Sequence, residues 1–238
     1  MIQNTLVQSP SSNVTILYVD LEHGRVLDDP VSGPAHRARR ERARARVAAA
    51  AGEPCAVLGY GEIPRLQHVA PRALVLSGST TDWDRFAWHD LEGVLAIIRT
   101  APVPILGICA GHQLIGRAHG AAWGPLGPLQ EGETDPDPRF APGQRKERGF
   151  LPVQTDPHCP LFDGLGTTAC FFQSHYWQLH DVPAGFIARA CSPWSPIQAI
   201  EHRDRLLFGV QFHPERYDGA HPDGEVVLRN FFALVRDR

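Results

Sequence analysis

The sequence predicts an α/β fold in which helices cover both faces of a mostly parallel central sheet. Short apolar runs rich in β-branched residues alternate with longer stretches of helical periodicity, and this alternation is typical of βαβ units. The 238 residues are 43% hydrophobic and 21% charged, which is typical of a globular chain with a sizeable core. We therefore expect a single domain over residues 1–238.

The first half of the chain contains four runs that predict buried parallel strands, because they are continuously apolar rather than alternating. These strands are predicted at 13–20, 55–58, 72–77 and 104–108. Helices are predicted between them at 34–51 and 83–100. In the second helix, Phe86, Leu91, Val94, Leu95 and Ile98 fall on one face.

The second half begins with a helix-compatible run at 113–119, followed by a stretch of different character. Residues 124–144 are rich in Gly, Pro and Asp and have no hydrophobic period, which predicts a long surface loop. Closely spaced strands then follow at 149–153, 169–172, 186–190, 197–202 and 206–212, and a final helix at 226–235. Their spacing predicts an antiparallel extension of the sheet.

Charge and composition exclude several classes of function. The formal net charge is −3, which gives no overall attraction for nucleic acid or an anionic membrane. No apolar run reaches the roughly 18 residues that span a bilayer, and the N terminus lacks the pattern of a secretory signal. Five scattered cysteines without a CxxC pair favour free thiols in the cytoplasm over disulfides or zinc. We expect no metal and no cofactor.

A sharp turn around Cys109 is the most informative segment. Gly107-Ile108-Cys109-Ala110-Gly111 directly follows a predicted strand and precedes a helical run, as in a nucleophile elbow. Glycines two positions either side allow the sharp turn, and the N–H groups of the following helix favour a thiolate. The alternative for this segment alone is a tight turn around a buried, inert cysteine.

A base for such a nucleophile is predicted at the end of the last apolar run. His213 closes the segment Phe208-Gly209-Val210-Gln211-Phe212, and Glu215 follows two residues later. Residues two apart in an extended segment point the same way, so the Glu215 carboxylate could orient the imidazole, as the third group of a triad does. The alternative is a surface His–Glu pair at the end of a strand.

Taken together, the two motifs resemble those of the class I glutamine amidotransferases, in which Gly-x-Cys-x-Gly-His-Gln and a late Phe-His-Pro-Glu supply a Cys–His–Glu triad. The resemblance extends over about residues 72–232. Further segments that match family motifs are Leu74 to Ser79, Lys146 to Val153, Pro160 to Leu165 and Gln173 to Tyr176. The resemblance implies a flavodoxin-like fold.

The resemblance also implies a role for each matching residue. Cys109 would attack the side-chain amide of glutamine, His213 would act as general base and then general acid, and Glu215 would orient His213. The oxyanion would be held by backbone N–H groups at Gly78 or Ser79 and at Ala110. The substrate would be contacted by Gln113, Ser174, His175 and Tyr176.

Two departures from the family pattern keep a second function open. Ser79 stands where the family has a glycine, and a serine at positive φ would be strained, so we expect a reshaped loop or one ordered by a partner. Ala110 replaces a bulkier apolar residue and leaves space beside the thiol. The first hypothesis is a glutaminase that supplies ammonia to a separate synthase subunit. The second is a stand-alone γ-glutamyl peptidase or hydrolase, and the third is a non-catalytic binding module.

The predicted helix at 34–51 carries six arginines, Arg37, Arg39, Arg40, Arg42, Arg44 and Arg46. They could form a docking face for a partner or an anionic ligand. A simple solvated helix face is the alternative that such charge runs favour.

Overall fold

The computed structural model describes residues 16–63 and 71–237. Residues 13–15 of the first predicted strand therefore lie outside the described residues. The strands of the described part are β1 (Ile16–Asp20), β2 (Cys55–Gly59), β3 (Ala73–Leu76), β4 (Ile105–Ile108), β5 (Trp123–Pro125), β6 (Glu147–Thr155), β7 (Thr168–His175), β8 (Trp177–Leu179), β9 (Phe186–Cys191), β10 (Ala199–His202) and β11 (Leu207–Val210). The helices are α1 (Gly24–Asp28), α2 (Ser32–Ala51), α3 (Trp88–Thr100), α4 (Ala110–Ala118) and α5 (Asp223–Arg236).

One large sheet organises the described part of the chain, in the order β2-β1-β3-β4-β11-β10-β9-β6-β7. The first five strands of that order are parallel. Their sequence is the flavodoxin order 2-1-3-4-5 with β11 in the fifth place. The remaining four strands are antiparallel, as the short spacing of the second half predicts. The predicted mostly parallel sheet with an antiparallel extension is therefore confirmed.

Helices cover both faces of this sheet, and each face has a separate apolar layer. Residues of α2 and α5 pack in one cluster with Ile16 and Tyr18 of β1. Residues of α3 and α4 pack in the other with Leu17 and Val19. Adjacent residues of β1 thus enter opposite layers, because side chains alternate across a strand. All five residues of β1 are buried, which explains why its sequence is continuously apolar up to Asp20.

The predicted helix at 83–100 begins too early. Trp83–Arg85 form a 3₁₀ turn, Phe86 and Ala87 have extended backbones, and α3 starts at Trp88. The aromatic ring of Trp83 stacks on Trp88 with ring centroids 5.9 Å apart, and its indole nitrogen is hydrogen-bonded to Gln113. These tertiary contacts hold the first turn out of helical register although its apolar spacing is helical.

The segment that connects β5 to β6 is anchored by a buried lysine. Lys146 is fully buried, pairs with Asp135 at 2.8 Å and donates to the carbonyl oxygens of Asp137 and Phe140. A salt bridge also joins Arg145 to Glu133 in the same segment. Phe140 is thereby held against Tyr176, with the two ring centroids 5.6 Å apart. None of the described helices combines the length and apolar composition needed to cross a membrane.

Candidate active site

The residues that form the site follow the carboxyl ends of neighbouring parallel strands. Glu22 follows β1, Gly78 follows β3, Cys109 follows β4 and His213 follows β11. Open α/β sheets place their ligand sites at this edge, next to the point where the strand order reverses. The topology therefore brings together residues that are far apart in the sequence.

Cys109 occupies a strained backbone conformation between β4 and α4. Its φ of 51° and ψ of −101° lie outside the regions that side-chain-bearing residues usually adopt. A β-carbon at Gly107 would lie 2.6 Å from the backbone of Gly111, and one at Gly111 would lie 2.7 Å from the carbonyl oxygen of Leu76. The two glycines are thus required for close packing, and the predicted elbow geometry is present.

The imidazole of His213 lies next to the carboxylate of Glu215 and close to Cys109. Its Nδ1 atom is 2.8 Å from Oε1 of Glu215, and a β-carbon added to Gly78 would touch both the His213 ring, at 2.8 Å, and the β-carbon of Cys109, at 3.5 Å. Burial alone would lower the pKa of His213. The nearby Glu215 carboxylate and the Cys109 sulfur outweigh this and raise the pKa to about 10. The charged imidazolium is therefore favoured at neutral pH.

Gln211 is a site residue that the sequence analysis did not single out. It is fully buried, and its Nε2 atom lies 3.6 Å from the sulfur of Cys109. Its Oε1 atom accepts a hydrogen bond of 3.0 Å from Gln113. The sequence contained one signal that could have identified Gln211. It lies two residues before His213, which places both side chains on one side of the extended segment.

The loop after β3 avoids the strain that positive φ would impose on Ser79. Ser79 is not among the described residues with positive φ, which besides glycines are Ala101, Cys109 and Ala141. Of the two expected alternatives, this agrees with a reshaped loop. The loop is held within the chain by the buried carboxylate of Glu22.

Glu22 accepts hydrogen bonds from three consecutive residues of this loop. One carboxylate oxygen accepts from the hydroxyl groups of Ser79 at 3.1 Å and Thr81 at 2.7 Å. The other accepts from the backbone N–H of Thr80 at 2.9 Å and its hydroxyl at 2.7 Å. Glu22 is only 1% exposed, so these bonds replace its hydration. This fixes the position of the adjacent Gly78 and Ser79 backbone.

Two of the residues predicted to supply oxyanion-hole N–H groups, Gly78 and Ala110, lie next to Cys109. A β-carbon added to Gly78 would lie 3.5 Å from the β-carbon of Cys109 and 2.8 Å from Cε1 of His213. Ala110 is the first residue of α4, and the first N–H groups of a helix have no acceptor within it. Gly78 and Ala110 are thus both adjacent to Cys109, one through the fold and the other along the chain.

Gln113, predicted to contact substrate, is bonded to protein groups on every side. It is 3% exposed, accepts from the indole nitrogen of Trp83 at 2.8 Å and donates to the carbonyl oxygen of Trp177 at 3.0 Å. Together with its bond to Gln211, these contacts satisfy most of the amide group. Gln113 lines the pocket that also contains Cys109. Its hydrogen bonds connect Trp83 and Trp177, which line the same pocket.

The other predicted substrate residues, Ser174, His175 and Tyr176, lie along one wall of the same pocket. His175 is buried between Oε2 of Glu147 and the carbonyl oxygen of Trp177, at 2.9 Å from each. The hydroxyl of Tyr176 donates to Asp82 on the opposite wall. Glu147 supports this wall through its bond to His175, and its carboxylate also accepts hydrogen bonds from Ser192 and Gln198.

Two adjoining pockets open at the site. The smaller one, about 40 Å³, is lined by Cys109 and Ala110. The larger one, about 370 Å³, is lined by His213 and Glu215. Ser79, Thr80, Phe140 and Ser174 line both, so the pockets share a wall.

Other cysteines lack such surroundings. Burial raises the pKa of Cys55 to about 11 and that of Cys159 to about 12. Both are therefore protonated at neutral pH and unreactive as nucleophiles. Within residues 16–63 and 71–237, no three His, Cys, Asp or Glu side chains are grouped in a way that could hold a metal ion.

Comparison with known proteins identifies the family. Residues 42–235 match the glutamine amidotransferase class-I family. The chain belongs to that family. The resemblance stated from the Cys109 and His213 motifs is thus confirmed, and the match begins within the arginine-rich helix.

Curated relatives of this class-I amidotransferase chain include two GMP synthase proteins. The chain is 33% identical over 132 residues to a GMP synthase [glutamine-hydrolyzing] subunit of Pyrococcus abyssi, covering 56% of this chain and 60% of the relative. It is 33% identical over 133 residues to GMP synthase [glutamine-hydrolyzing] of Acetivibrio thermocellus, covering 56% of this chain and 22% of the relative. The match thus spans less than two thirds of either relative.

Solved structures support the same fold for this amidotransferase chain. A crystal structure from Thermoplasma acidophilum, provisionally assigned as a GMP synthase subunit, superposes with a TM-score of 0.68 at 23% identity, covering 94% of this chain and 95% of the other. A glutamine amidotransferase from Thermotoga maritima superposes with a TM-score of 0.64 at 15% identity, covering 94% and 99%. The predicted flavodoxin-like fold is confirmed.

Proposed function

We propose that this chain hydrolyses the side-chain amide of glutamine through a thioester on Cys109. The observation that carries the proposal is the strained elbow cysteine close to an imidazole whose Nδ1 atom is held by Glu215. A nucleophile, a base and an orienting group in that order are the requirements of triad chemistry.

In the first half-reaction, the Cys109 thiolate attacks the amide carbon, and the carbonyl oxygen becomes an oxyanion. The backbone N–H groups of Ala110 and of Gly78 or Ser79 stabilise this oxyanion, a contribution for which loss of one donor typically costs about 10²–10³ in rate. His213, as imidazolium, then protonates the leaving nitrogen. The carbon–nitrogen bond breaks, ammonia leaves, and a glutamyl thioester remains on Cys109.

In the second half-reaction, water attacks the thioester carbon while His213 accepts its proton. The carbon–sulfur bond breaks, glutamate leaves, and the thiolate–imidazolium pair is restored. Glu215 stabilises the imidazolium in both halves and fixes the ring orientation. The net reaction converts glutamine and water into glutamate and ammonia.

The pocket that contains Cys109 supports glutamine as the substrate. The Ser174–Tyr176 wall and the buried Gln113 line the smaller pocket together with the thiol. Polar groups of this wall would hold the glutamyl part, while Gln113 positions the wall. Ser174, His175 and Tyr176 are therefore proposed to contact substrate directly.

The ammonia acceptor is proposed to be a separate synthase chain. The relatives named as subunits of GMP synthase make a GMP synthase-type partner the first candidate. The partner requirement is tested by adding a purified candidate synthase chain to the glutaminase assay. The cytoplasmic location and the single domain over residues 1–238 stay predictions from the sequence.

A γ-glutamyl peptidase or hydrolase is the alternative, and one observation favours it. The cavity beside His213 is about 370 Å³, far more than a departing ammonia molecule needs. Since His213 protonates the leaving nitrogen, a substituted amine would extend into this cavity. Cleavage of γ-glutamyl amides without any partner would support the alternative.

The decisive experiment measures glutamate release from glutamine by the wild-type chain and by Cys109→Ala. We expect wild-type activity and complete loss in the variant. Cys159→Ala is the matched control, because it also removes a buried thiol but lies outside the site. Activity that persists in Cys109→Ala would overturn the mechanism.

A further inference from the structure

The larger cavity combines an unusual excess of positive charge with direct access to His213. Four arginines of α2 line it, Arg39, Arg40, Arg42 and Arg46, together with Arg216 from the turn after His213. Arg40 pairs with the buried Asp20, whereas Arg39, Arg42 and Arg46 are spaced three and four positions apart and share one face of the helix. The cavity therefore presents a row of guanidinium groups to any molecule that enters it.

The acidic groups that line the cavity are already neutralised or hydrogen-bonded. Glu22 is held by the Ser79–Thr81 loop, Glu215 pairs with His213, and Asp218 pairs with His221 at 3.0 Å. By contrast, neither Arg39 nor Arg42 makes an ion pair or side-chain hydrogen bond within the described part of the chain. Positive charge thus remains available in the cavity.

Two further arginines are held in fixed positions by aromatic rings. The Arg216 guanidinium lies 3.5 Å from the ring centroid of Phe172, and that of Arg46 lies 4.2 Å from the ring centroid of Tyr217. Arg46 also donates to the backbone carbonyl of Glu215 at 2.7 Å. Stacking fixes the plane of a guanidinium while leaving its edge free to bind an anion.

The arginines are close enough to perturb one another. The pKa of Arg216 lies below its usual range, first because the group is partly removed from water. Arg148, Arg39 and Arg42 lower it further by like-charge repulsion, and only Glu215 opposes them. Such mutual repulsion costs stability, and it is relieved when an anion binds between the groups.

We propose that this cavity is a binding site for a small molecule that carries carboxylate or phosphate groups, seated beside His213 and adjoining the Cys109 pocket. Its placement relative to the reaction rests on the proposed function, because His213 is then the group that protonates the leaving nitrogen. The anionic group can arrive in two ways. It is either the amine part of a γ-glutamyl substrate or a free ligand that binds next to the oxyanion loop.

The binding experiment titrates inorganic pyrophosphate and citrate into the full chain by calorimetry. We expect the double variant Arg39→Gln/Arg42→Gln to weaken the affinity of the wild type by about tenfold or more, because two charge-assisted contacts are lost. The control is Arg37→Gln/Arg99→Gln, which removes the same charge from α2 and α3 outside the cavity. Equal binding by both double variants, or no binding of either anion by the wild type, overturns a site for free anions.

The kinetic experiment compares γ-glutamylglutamate with γ-glutamylethylamide, which has an uncharged leaving group. A higher kcat/KM for the acidic substrate, lost in Arg39→Gln/Arg42→Gln but kept in the control, assigns the cavity to the leaving group. Anion binding without such a preference assigns it to a free ligand. Failure of both experiments overturns the proposal. Absence of glutamine hydrolysis in the wild type would instead contradict the proposed function, and the calorimetric result would still stand.

Discussion

Glu22 is predicted to position the loop that flanks Cys109, and Glu22→Gln tests this. The substitution keeps the size of the side chain but replaces one acceptor oxygen with an NH₂ donor. If the new NH₂ group takes the place of Oε2, the Thr80 hydroxyl can reorient, but the Thr80 backbone N–H loses its acceptor at 2.9 Å. If the Oε1 position is replaced, the bonds from Ser79 and Thr81 are affected instead.

The expected magnitude follows from the burial of this group. A buried donor left without an acceptor costs about 1–3 kcal/mol, and the remaining bonds to Glu22 lose their charge assistance. We expect a loss of about 2–4 kcal/mol in the free energy of unfolding. A loop shift that misplaces one oxyanion donor lowers kcat by up to about 10²–10³. KM for glutamine should change little, because the substrate wall at 174–176 does not bond to Glu22.

The assay combines glutamine hydrolysis with chemical denaturation. Glu41→Gln is the matched control, because Glu41 is exposed and, among the described residues, pairs with Arg44 on the surface of α2. Exposed pairs of this kind contribute little to stability. We expect the control to retain wild-type kcat and stability. A Glu22→Gln variant with kcat within twofold of wild type and unchanged unfolding free energy would refute the positioning role.

Three further predictions concern the thiols, the imidazole and the anchored loop. Iodoacetamide at pH 8 should modify Cys109 in a reaction that glutamine slows, and this protected modification should vanish in Cys109→Ala but not in Cys159→Ala. The pKa of His213 is raised to about 10 in the folded protein. Its stabilising contribution is therefore present below the unfolded-state pKa of about 6.5 and is lost as pH rises through about 10. Glu215→Gln should flatten the decline in unfolding free energy between pH 7 and 10, and an unchanged slope would contradict this. Lys146→Met should increase hydrogen exchange across residues 126–146 and raise KM for glutamine several-fold, because Phe140 lines both pockets; exchange equal to wild type would contradict the anchoring role.

The parallel half of the fold could be predicted because its strands are buried on both sides. Continuous apolar runs such as Ala73–Leu76 have no competing interpretation once helical stretches separate them. The elements that escaped prediction are short. α1 has five residues and buries none of them, and β5 and β8 have three residues each. Such segments are fixed by their contacts rather than by a pattern of their own.

The site was predictable where chemistry is concentrated in a local motif. The elbow glycines and the His213-Pro214-Glu215 step are visible in the sequence because each constraint acts over a few residues. Glu22 was not predictable in this way. Its partners at 79–81 lie 57 to 59 positions away, and only the adjacency of β1 and β3 brings them together. The choice between a reshaped loop and a partner-ordered loop at Ser79 could not be made from the sequence for the same reason, because Glu22 holds the loop.

The arginines of α2 show why a charge run alone does not define a function. Arg37, Arg40, Arg44 and Arg46 each bond a protein group: the Leu27 carbonyl, Asp20, Glu41 and the Glu215 carbonyl. These four are accounted for by the structure of the chain itself. Arg39 and Arg42 are different, because they line the cavity beside His213 without a described partner. Both are solvent-exposed, as the solvated-face interpretation expects, and water screens part of their charge. Their like charge nevertheless helps to lower the pKa of Arg216, and an anion bound between these groups would offset that repulsion.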